Sequence, residues 1–286
     1  MLNKKIIYKN IFTCPNCKSE KLKFEKSFLK CQECGKSYKI FEDKKIIFEK
    51  KEKEDIPDSL DYFKHLMKRY DKLYNLLIWL ISPVYVSRSL NNFIIKNIKS
   101  KNIIALNLGS GNSNISNKVI NIDIFPYKNT DICCNIANLP FKDNSIDIIF
   151  CIAVLEHVPS SEKVVSEIYR VLKKDGLIYI SFPFIQGFYA SPFDYSRRTY
   201  EGMKFMFKDF KLMDLKCAGG PTSGMLWVIQ EWIAILISFG NKYIHTIVLI
   251  LMMILTFPIK FLDIFLINNS MAKNISSAFT YIGKKQ

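Results

Sequence analysis

What constrains this chain most is its punctuation from Asn102 onward, where short apolar runs that end in glycine, an acid or a turn alternate with helical patterns. Strands are predicted at 103–108, 119–124, 131–134, 146–152, 177–182 and 210–217. Such alternation builds an α/β fold with a Rossmann-like, doubly wound sheet, because each helix carries the chain back over the sheet before the next strand begins. Before the fifth strand, SSEKVVSEIYRVLKKDG (160–176) reads as a helix with a serine cap. Its apolar face is Val164, Val165, Ile168, Val171 and Leu172, and its basic end is stopped by Gly176. The last stretch, ISSAFTYIGKK (275–285), alternates again and reads as one more strand. A chain of 286 residues suits one main domain plus an appendage. The division expected is 1–48, then a linker and helices over 49–101, then a domain over 102–286 that carries an apolar insertion at 225–267.

Within that pattern, IIALNLGSGNSNIS (103–116) runs a buried strand into a glycine turn and then a helix. Gly109 and Gly111 let the backbone turn sharply and approach a ligand whose polar end meets free helix amides. NIDIFPY then brings Asp123 to a second strand tip, where a carboxylate can accept both hydroxyls of a ribose. IANLPFKDNSIDIIFCIAVLEHVP (136–159) supplies a loop, a charged turn and a buried strand that ends at Glu156 and His157. Two readings stand for His157: a general acid or base, or a packing and hydrogen-bonding residue.

The order LNLGSG, NIDI, ANLPF, SIDIIFCIAVLEHV, VLKKDGLIYIS resembles the class I S-adenosyl-L-methionine (SAM)-dependent methyltransferases, particularly those that modify small molecules and glycans. The likeness covers roughly residues 102–216 in unbroken order. It implies a seven-stranded sheet of the methyltransferase type and SAM as cofactor. It also implies Gly109 and Gly111 facing the methionine part, Asp123 holding the ribose, and the loop Asn135, Ile136 to Leu139 flanking the adenine. Three positions depart from the family pattern: Asn107 replaces an acid before the glycine loop, Ser113 a third small residue, and Asn135 an adenine-side aspartate. Asparagine still accepts a hydrogen bond, so a SAM site is expected, while a non-catalytic relative stays open. Methyl transfer from a sulfonium needs little acid–base help, and in-line alignment of the acceptor supplies most of the rate.

FPFIQGFYASPFDYSRRTYEGM (182–203) is too long and too aromatic for a plain connector. It resembles a Pro-x-Asp-aromatic-x-Arg-aromatic-Thr segment that roofs the acceptor pocket in methyltransferases of glycan and polysaccharide pathways. On that resemblance Tyr189, Asp194 and Arg197 are acceptor-side candidates, Arg197 for a phosphate or carboxylate and Asp194 for a hydroxyl or for that arginine. The alternative is an Asp194–Arg197 pair that only pins the loop ahead of a helix capped by Thr199. Arg198 stands where the pattern has an aromatic, and Tyr189 where it has a histidine.

CPNC (14–17) and CQEC (31–34) form two knuckles, a spacing at which Cys14, Cys17, Cys31 and Cys34 can converge on one tetrahedral Zn²⁺. A closed four-thiolate site has no open coordination position, so its role is structural or partner-presenting. The ribbon is similar to the small zinc-binding activator subunit that partners several methyltransferases. The remaining cysteines, Cys133, Cys134, Cys151 and Cys217, read as small buried hydrophobes in a reducing compartment. EKKEKEDIPD (49–58) reads as a linker.

Hydrophobic residues make up 49% of the chain, more than this sheet needs, and the surplus sits in 225–239 and 243–267. A spanning helix needs about 20 apolar residues, and Glu231, Pro258, Lys260 and Asp263 interrupt these runs. If 275–285 closes the sheet, both ends of the insertion return to one domain, which excludes a single crossing. Lys242, Lys260, Lys273 and Lys284 place positive charge on both sides. Helices in, or dipping into, the cytoplasmic leaflet are therefore expected, with LLIWLISPVYV (76–86) as a companion. An internally packed pair or a dimer interface is the alternative.

The opening MLNKKIIYKN lacks a signal-peptide core, so the expectation is a cytoplasmic protein, peripheral on the inner membrane face. A formal charge of +15 suits an anionic membrane surface, a phosphorylated acceptor or nucleic acid. Together these features point to a membrane-associated methyltransferase for a glycan, lipid-linked or other amphiphilic small-molecule acceptor. Methylation of rRNA or tRNA, and a non-catalytic ribbon scaffold, are the competing functions.

Overall fold

A computed structural model of the protein describes residues 11–41, 45–51, 82, 84, 89–98, 103–188 and 193–286. Tyr189, residues 99–102 and most of the segment 76–86 lie outside the described residues.

Among the described residues, the N-terminal part holds four short antiparallel strands, β1 (Leu22–Phe24), β2 (Phe28–Cys31), β3 (Ser37–Ile40) and β4 (Ile46–Ile47). Helix α1 (Ser89–Asn97) leads to β5 (Ala105–Leu108), β6 (Val119–Asp123), β7 (Ile132–Cys133) and β8 (Ile146–Ile152). Then come α2 (Ser161–Val171), β9 (Leu172–Pro183), α3 (Tyr200–Met206) and β10 (Phe210–Gly219). The insertion follows as α4 (Pro221–Ser238), α5 (Lys242–Thr256), a 3-10 stretch Phe257–Leu262 and α6 (Asp263–Leu266). β11 (Ala278–Lys285) closes the chain, slotted antiparallel between β9 and β10.

The spatial order β7-β6-β5-β8-β9-β11-β10 is the Rossmann-like methyltransferase sheet, parallel except at β11. The ribbon is not an appendage on a tether. β4 pairs parallel with β7, so among the described residues the ribbon extends the same sheet to eleven strands. Residues 49–51, expected to begin a linker, stay on the sheet edge: the Glu49 amide donates to the Cys133 carbonyl at 3.2 Å and the Lys51 amide to that of Ile124 at 3.1 Å.

Strand alternation explains the two layers. Leu106, Leu108, Ile120, Ile122, Ile149 and Cys151 share one core with Val164, Val165, Ile168 and Val171 of α2. Ala105, Val119, Ile148, Phe150 and Tyr179 point the other way, against Phe93 of α1. Cys133, Cys134 and Cys151 are buried, whereas Cys217 is only half-buried. The helix expected over 160–176 ends at Val171, and Ser160 makes no side-chain cap bond. Strand β9 starts at once, and Lys173 to Gly176 bulge out between the Leu172–Ile146 and Leu177–Ile148 pairs. Gly176 therefore packs in this bulge, against Leu172 and the Asp147 carbonyl, rather than capping a helix.

The insertion folds back on itself. Ala234, Leu249 and Met253 form its small buried cluster, and Gln230 Nε2 donates to Thr256 Oγ1 at 2.6 Å. Glu231 Oε1 lies 2.9 Å from His245 Nε2 across the same helix pair. Two charges read as interruptions of an apolar run turn out to be internal. Lys260, expected among the flanking surface charges, is 1% exposed and donates to the Ser82 carbonyl at 2.9 Å. Asp263, wholly buried, caps α4: it accepts from the amides of Thr222 and Ser223 at 2.8 and 2.9 Å and from the Ser223 hydroxyl at 2.6 Å. Anionic capping at a helix N-terminus is favourable, and bonds to a buried charge are the strong kind. Asp263→Ala is therefore expected to cost about 3 kcal/mol. Urea unfolding of the full chain checks it, and an unchanged midpoint would refute the cap.

Candidate functional site

The parallel strands end on one edge, and there the first glycine turn meets the second strand. The helix expected after that turn is absent, since 109–118 form only turns and coil, so the backbone amides facing the ligand belong to the turn itself. Gly109 and Gly111 both have left-handed φ, 64° and 55°. A Cβ on Gly109 would fall 2.4 Å from Val154 Cγ1, so this position must be glycine for packing as well as for its backbone. A Cβ on Gly111 would meet nothing within 4 Å, so its backbone faces open space.

Asp123, 7% exposed, closes the turn: Oδ2 accepts from the Gly111 amide at 2.7 Å and Oδ1 from the Phe125 amide at 2.9 Å. Burial pushes its carboxyl up, against the pull of the Phe125, Gly111 and Ile124 amides. Each carboxylate oxygen has room for two donors, so acceptor capacity remains at this strand tip beside the amides already bonded to it. Asn107 lies one strand over, 4% exposed, with Nδ2 donating to Asn121 Oδ1 at 3.2 Å.

The loop after β7 borders the same edge. Asn135 Oδ1 accepts from the Ala137 amide at 3.0 Å, folding the loop on itself. Ile136 is nearly buried, and Leu139 is fully buried in the main core. Two residues of α2 that the sequence did not single out, Glu167 and Arg170, clamp this loop. Glu167 accepts from the Leu139 amide at 2.7 Å, while Arg170 donates to the carbonyls of Leu139 and Phe141 at 3.0 and 2.7 Å. An acid and a base three apart on a helix also look like any solvated pair, so their tertiary job left no mark in the sequence.

The other wall of the edge is the long aromatic loop. His157, in the 3-10 turn Leu155–His157, bonds through Nδ1–H to the Phe193 carbonyl, and the Tyr195 amide donates to Glu156 O at 2.8 Å. Arg197 holds Asp194 in a two-pronged ion pair and donates to the carbonyls of Ser196 and Gly187 at 3.1 and 3.2 Å. Asp194 is 4% exposed, so this pair folds the loop, and Thr199 caps α3 through the Gly202 amide at 3.0 Å. Gly187 lies against Trp227 and Glu231 of α4, which joins the loop to the apolar insertion.

The four ribbon thiols, the other candidate centre, converge. Their sulfurs lie within 4.8 Å of one another, with Cys14–Cys34 at 3.6 Å and Cys17–Cys31 at 3.5 Å. A zinc–sulfur bond of about 2.3 Å sets tetrahedral sulfurs about 3.8 Å apart, whereas a disulfide would need about 2.05 Å. Tyr38 adds its hydroxyl 3.0 Å from Cys14 Sγ.

Residues 94–180 match the family model described as a methyltransferase domain. An uncharacterized protein of Methanocaldococcus jannaschii is 32% identical over 148 residues, 48% of this chain and 59% of that one. The 24-methylenesterol C-methyltransferase 2 of Arabidopsis thaliana is 43% identical over 19% of this chain and 15% of its own. The 25S rRNA (adenine(645)-N(1))-methyltransferase of Schizosaccharomyces pombe is 28% identical over 29% and 28%. The chain thus spans about three-fifths of the first relative's length and under a third of the other two. Among solved structures, phosphoethanolamine N-methyltransferase 2 of Haemonchus contortus aligns over 78% of this chain and 60% of its own, with TM-score 0.44 and 16% identity.

Proposed function

We propose that this chain, with its methyltransferase domain at 94–180, is a SAM-dependent methyltransferase working at a membrane surface on a glycan, lipid-linked or other amphiphilic acceptor. The observation that carries the cofactor reading is the junction of Gly111 and Asp123: an open backbone turn bonded directly to a carboxylate with acceptor capacity to spare.

The residues present fit SAM. The space over Gly111 admits a ligand against the backbone, and Asp123 offers acceptors to a diol. The 135–139 loop, clamped by Glu167 and Arg170, flanks the base. When bound, SAM supplies a methyl group on a sulfonium, an electrophile that a nucleophilic acceptor takes without a metal. The protein's own part is positioning. His157 and the Asp194–Arg197 pair hold the aromatic loop as a fixed wall, so the acceptor approaches in one orientation. The ribbon thiols of Cys14, Cys17, Cys31 and Cys34 hold a structural zinc ion in this reading.

The relatives' printed acceptors diverge, sterol in one case and rRNA in another, so the acceptor class is argued from this chain's own surface. Trp232, Phe239, Ile247 and Phe265 are 62%, 94%, 65% and 80% exposed on the insertion. Lys242–Leu266 is long and apolar enough to cross a membrane, with a mean hydropathy of 2.3 and 17% burial. A helix apolar on its outer face has no stable place in water, and lipid is the medium that covers it. Since β10 and β11 flank this insertion in one sheet, its two ends return to the same side. Helices that enter one leaflet satisfy both constraints, and they bring the aromatic loop to the lipid surface through Gly187 and Trp227.

Two measurements test the proposal. Titration calorimetry with SAM should give a binding heat. Full-length protein should float with phosphatidylglycerol vesicles, while a Trp232→Ser, Phe239→Ser, Phe265→Ser variant stays at the bottom and keeps its SAM heat. Methyl label that enters RNA rather than a lipid extract would replace this acceptor class.

A further inference from the structure

We propose that the ribbon completes the cofactor site: a cavity between its first knuckle and the 134–138 loop receives the adenine edge, and Glu49 accepts from the exocyclic amine. The inference rests on the SAM reading above and deepens it.

Topology places Glu49 there. Because β4 runs parallel to β7, the chain leaves the ribbon at the same edge as the tips of β5 and β6. It then crosses those tips. The amides of Phe48 and Glu49 bond to the Cys133 carbonyl at 2.9 and 3.2 Å, and that of Lys51 to the Ile124 carbonyl at 3.1 Å. Ile124 directly follows Asp123, so Glu49 sits between the loop that carries Asn135 and the strand that carries the diol acceptor.

The cavity beside it has a volume of about 200 Å³, with Asn16, Lys36, Tyr38, Glu49, Asn135 and Asn138 in its wall. Its ribbon side is firmly set. The Thr13 amide donates to the Pro140 carbonyl at 3.1 Å, the Lys142 amide to that of Ile11 at 2.8 Å, and Asn138 Nδ2 to that of Pro15 at 3.2 Å. Phe12 stacks on Phe141 with ring centroids 5.5 Å apart.

Hydrogen-bond accounting then singles out the glutamate. An adenine edge presents an amine that donates and ring nitrogens that accept. The asparagine carbonyls here already accept: Asn135 from the Ala137 amide at 3.0 Å, Asn16 from Lys36 at 3.2 Å, and Asn138 from Lys18. Their amide nitrogens suit the ring nitrogens. Glu49 brings an exposed carboxylate, a group that only accepts, to the same wall. A carboxylate there also disfavours a phosphate or other anion, whereas it favours an amine.

The test compares S-adenosylhomocysteine with S-inosylhomocysteine, in which a carbonyl replaces the amine, by calorimetry on the full-length zinc-loaded protein. Wild type should prefer the adenosyl ligand by about tenfold or more. Glu49→Gln should weaken adenosyl binding and strengthen inosyl binding, since its amide nitrogen can donate to the new carbonyl. Glu49→Ala should lose adenosyl affinity without the inosyl gain. Glu49 meets the sheet through its backbone amide, so both variants keep that attachment. Equal adenosyl-to-inosyl ratios in wild type and Glu49→Gln, with both ligands bound, would overturn the inference and leave the SAM reading standing. Wild type that binds neither ligand overturns the SAM reading itself.

Discussion

Asp123→Ala is expected to abolish measurable SAM binding, a loss of at least about a hundredfold in affinity. Two effects add. On the proposed SAM reading, the variant loses the charged acceptors offered to the ribose hydroxyls, each such bond worth about 1.5–3 kcal/mol. It also frees the Gly111 amide, now bonded to Asp123 Oδ2 at 2.7 Å, so the turn that faces the ligand loses its anchor. Asp123→Asn keeps one carbonyl acceptor for that amide and should lose about tenfold. Acidification should act in the same direction. Burial raises the carboxyl, so it takes up its proton at a higher pH than an ordinary aspartate, and SAM affinity falls as pH drops through that raised value. Calorimetry across pH checks the sign. Asp123→Ala binding as tightly as wild type would remove the carboxylate from the site.

The second large effect is expected from metal removal. A strong chelator, or Cys14→Ser, should lower the melting temperature by more than about 10 °C, because a structural zinc site contributes on the order of 10 kcal/mol of folding free energy. The ribbon has little else of its own. Its buried apolar residues, Phe12, Leu29, Tyr38 and Ile46 among them, are continuous with the main core, and Phe12 stacks on Phe141 there. Loss of the knuckle should therefore also release Pro140 and Lys142, and hydrogen exchange at 138–142 should rise with it. Metal analysis should return one zinc per chain. Zinc-free reduced protein with an unchanged melting curve and protected 138–142 amides would refute this account.

Much of the fold was legible because its signals are local. Each strand of the main sheet announced itself as a short apolar run next to a turn, and 146–152 matches β8 end to end. Gly109, Gly111 and Asp123 were legible for a related reason: a left-handed turn and a strand-end acid are local requirements that few residue types meet. The two cysteine knuckles likewise carry their geometry in their spacing. Local signals failed where a residue's partner is far along the chain. Helix α2 ends five residues before Gly176 because the pairing of Leu172 with Ile146 on β8 outweighs its continuing helical pattern. Asp263 and Lys260 read as breaks in an apolar run, yet one caps a helix 41 residues back and the other bonds to Ser82.

What the amino-acid order determined by itself is therefore the list of strands, the glycine turn with its acid, the metal-spaced cysteines and the existence of a surplus apolar segment. Each follows from rules that act over a few neighbouring residues. Only the tertiary structure decided that the ribbon is the outer part of the sheet, that Glu167 and Arg170 clamp the 135–141 loop, and that the aromatic loop leans on the apolar insertion. Those decisions depend on which backbone groups and side chains find partners across 28 to 127 residues of chain, as Leu139 with Glu167 and Thr13 with Pro140 do at the shorter and longer range. Such pairings are selected by the whole folded geometry, so no local pattern records them.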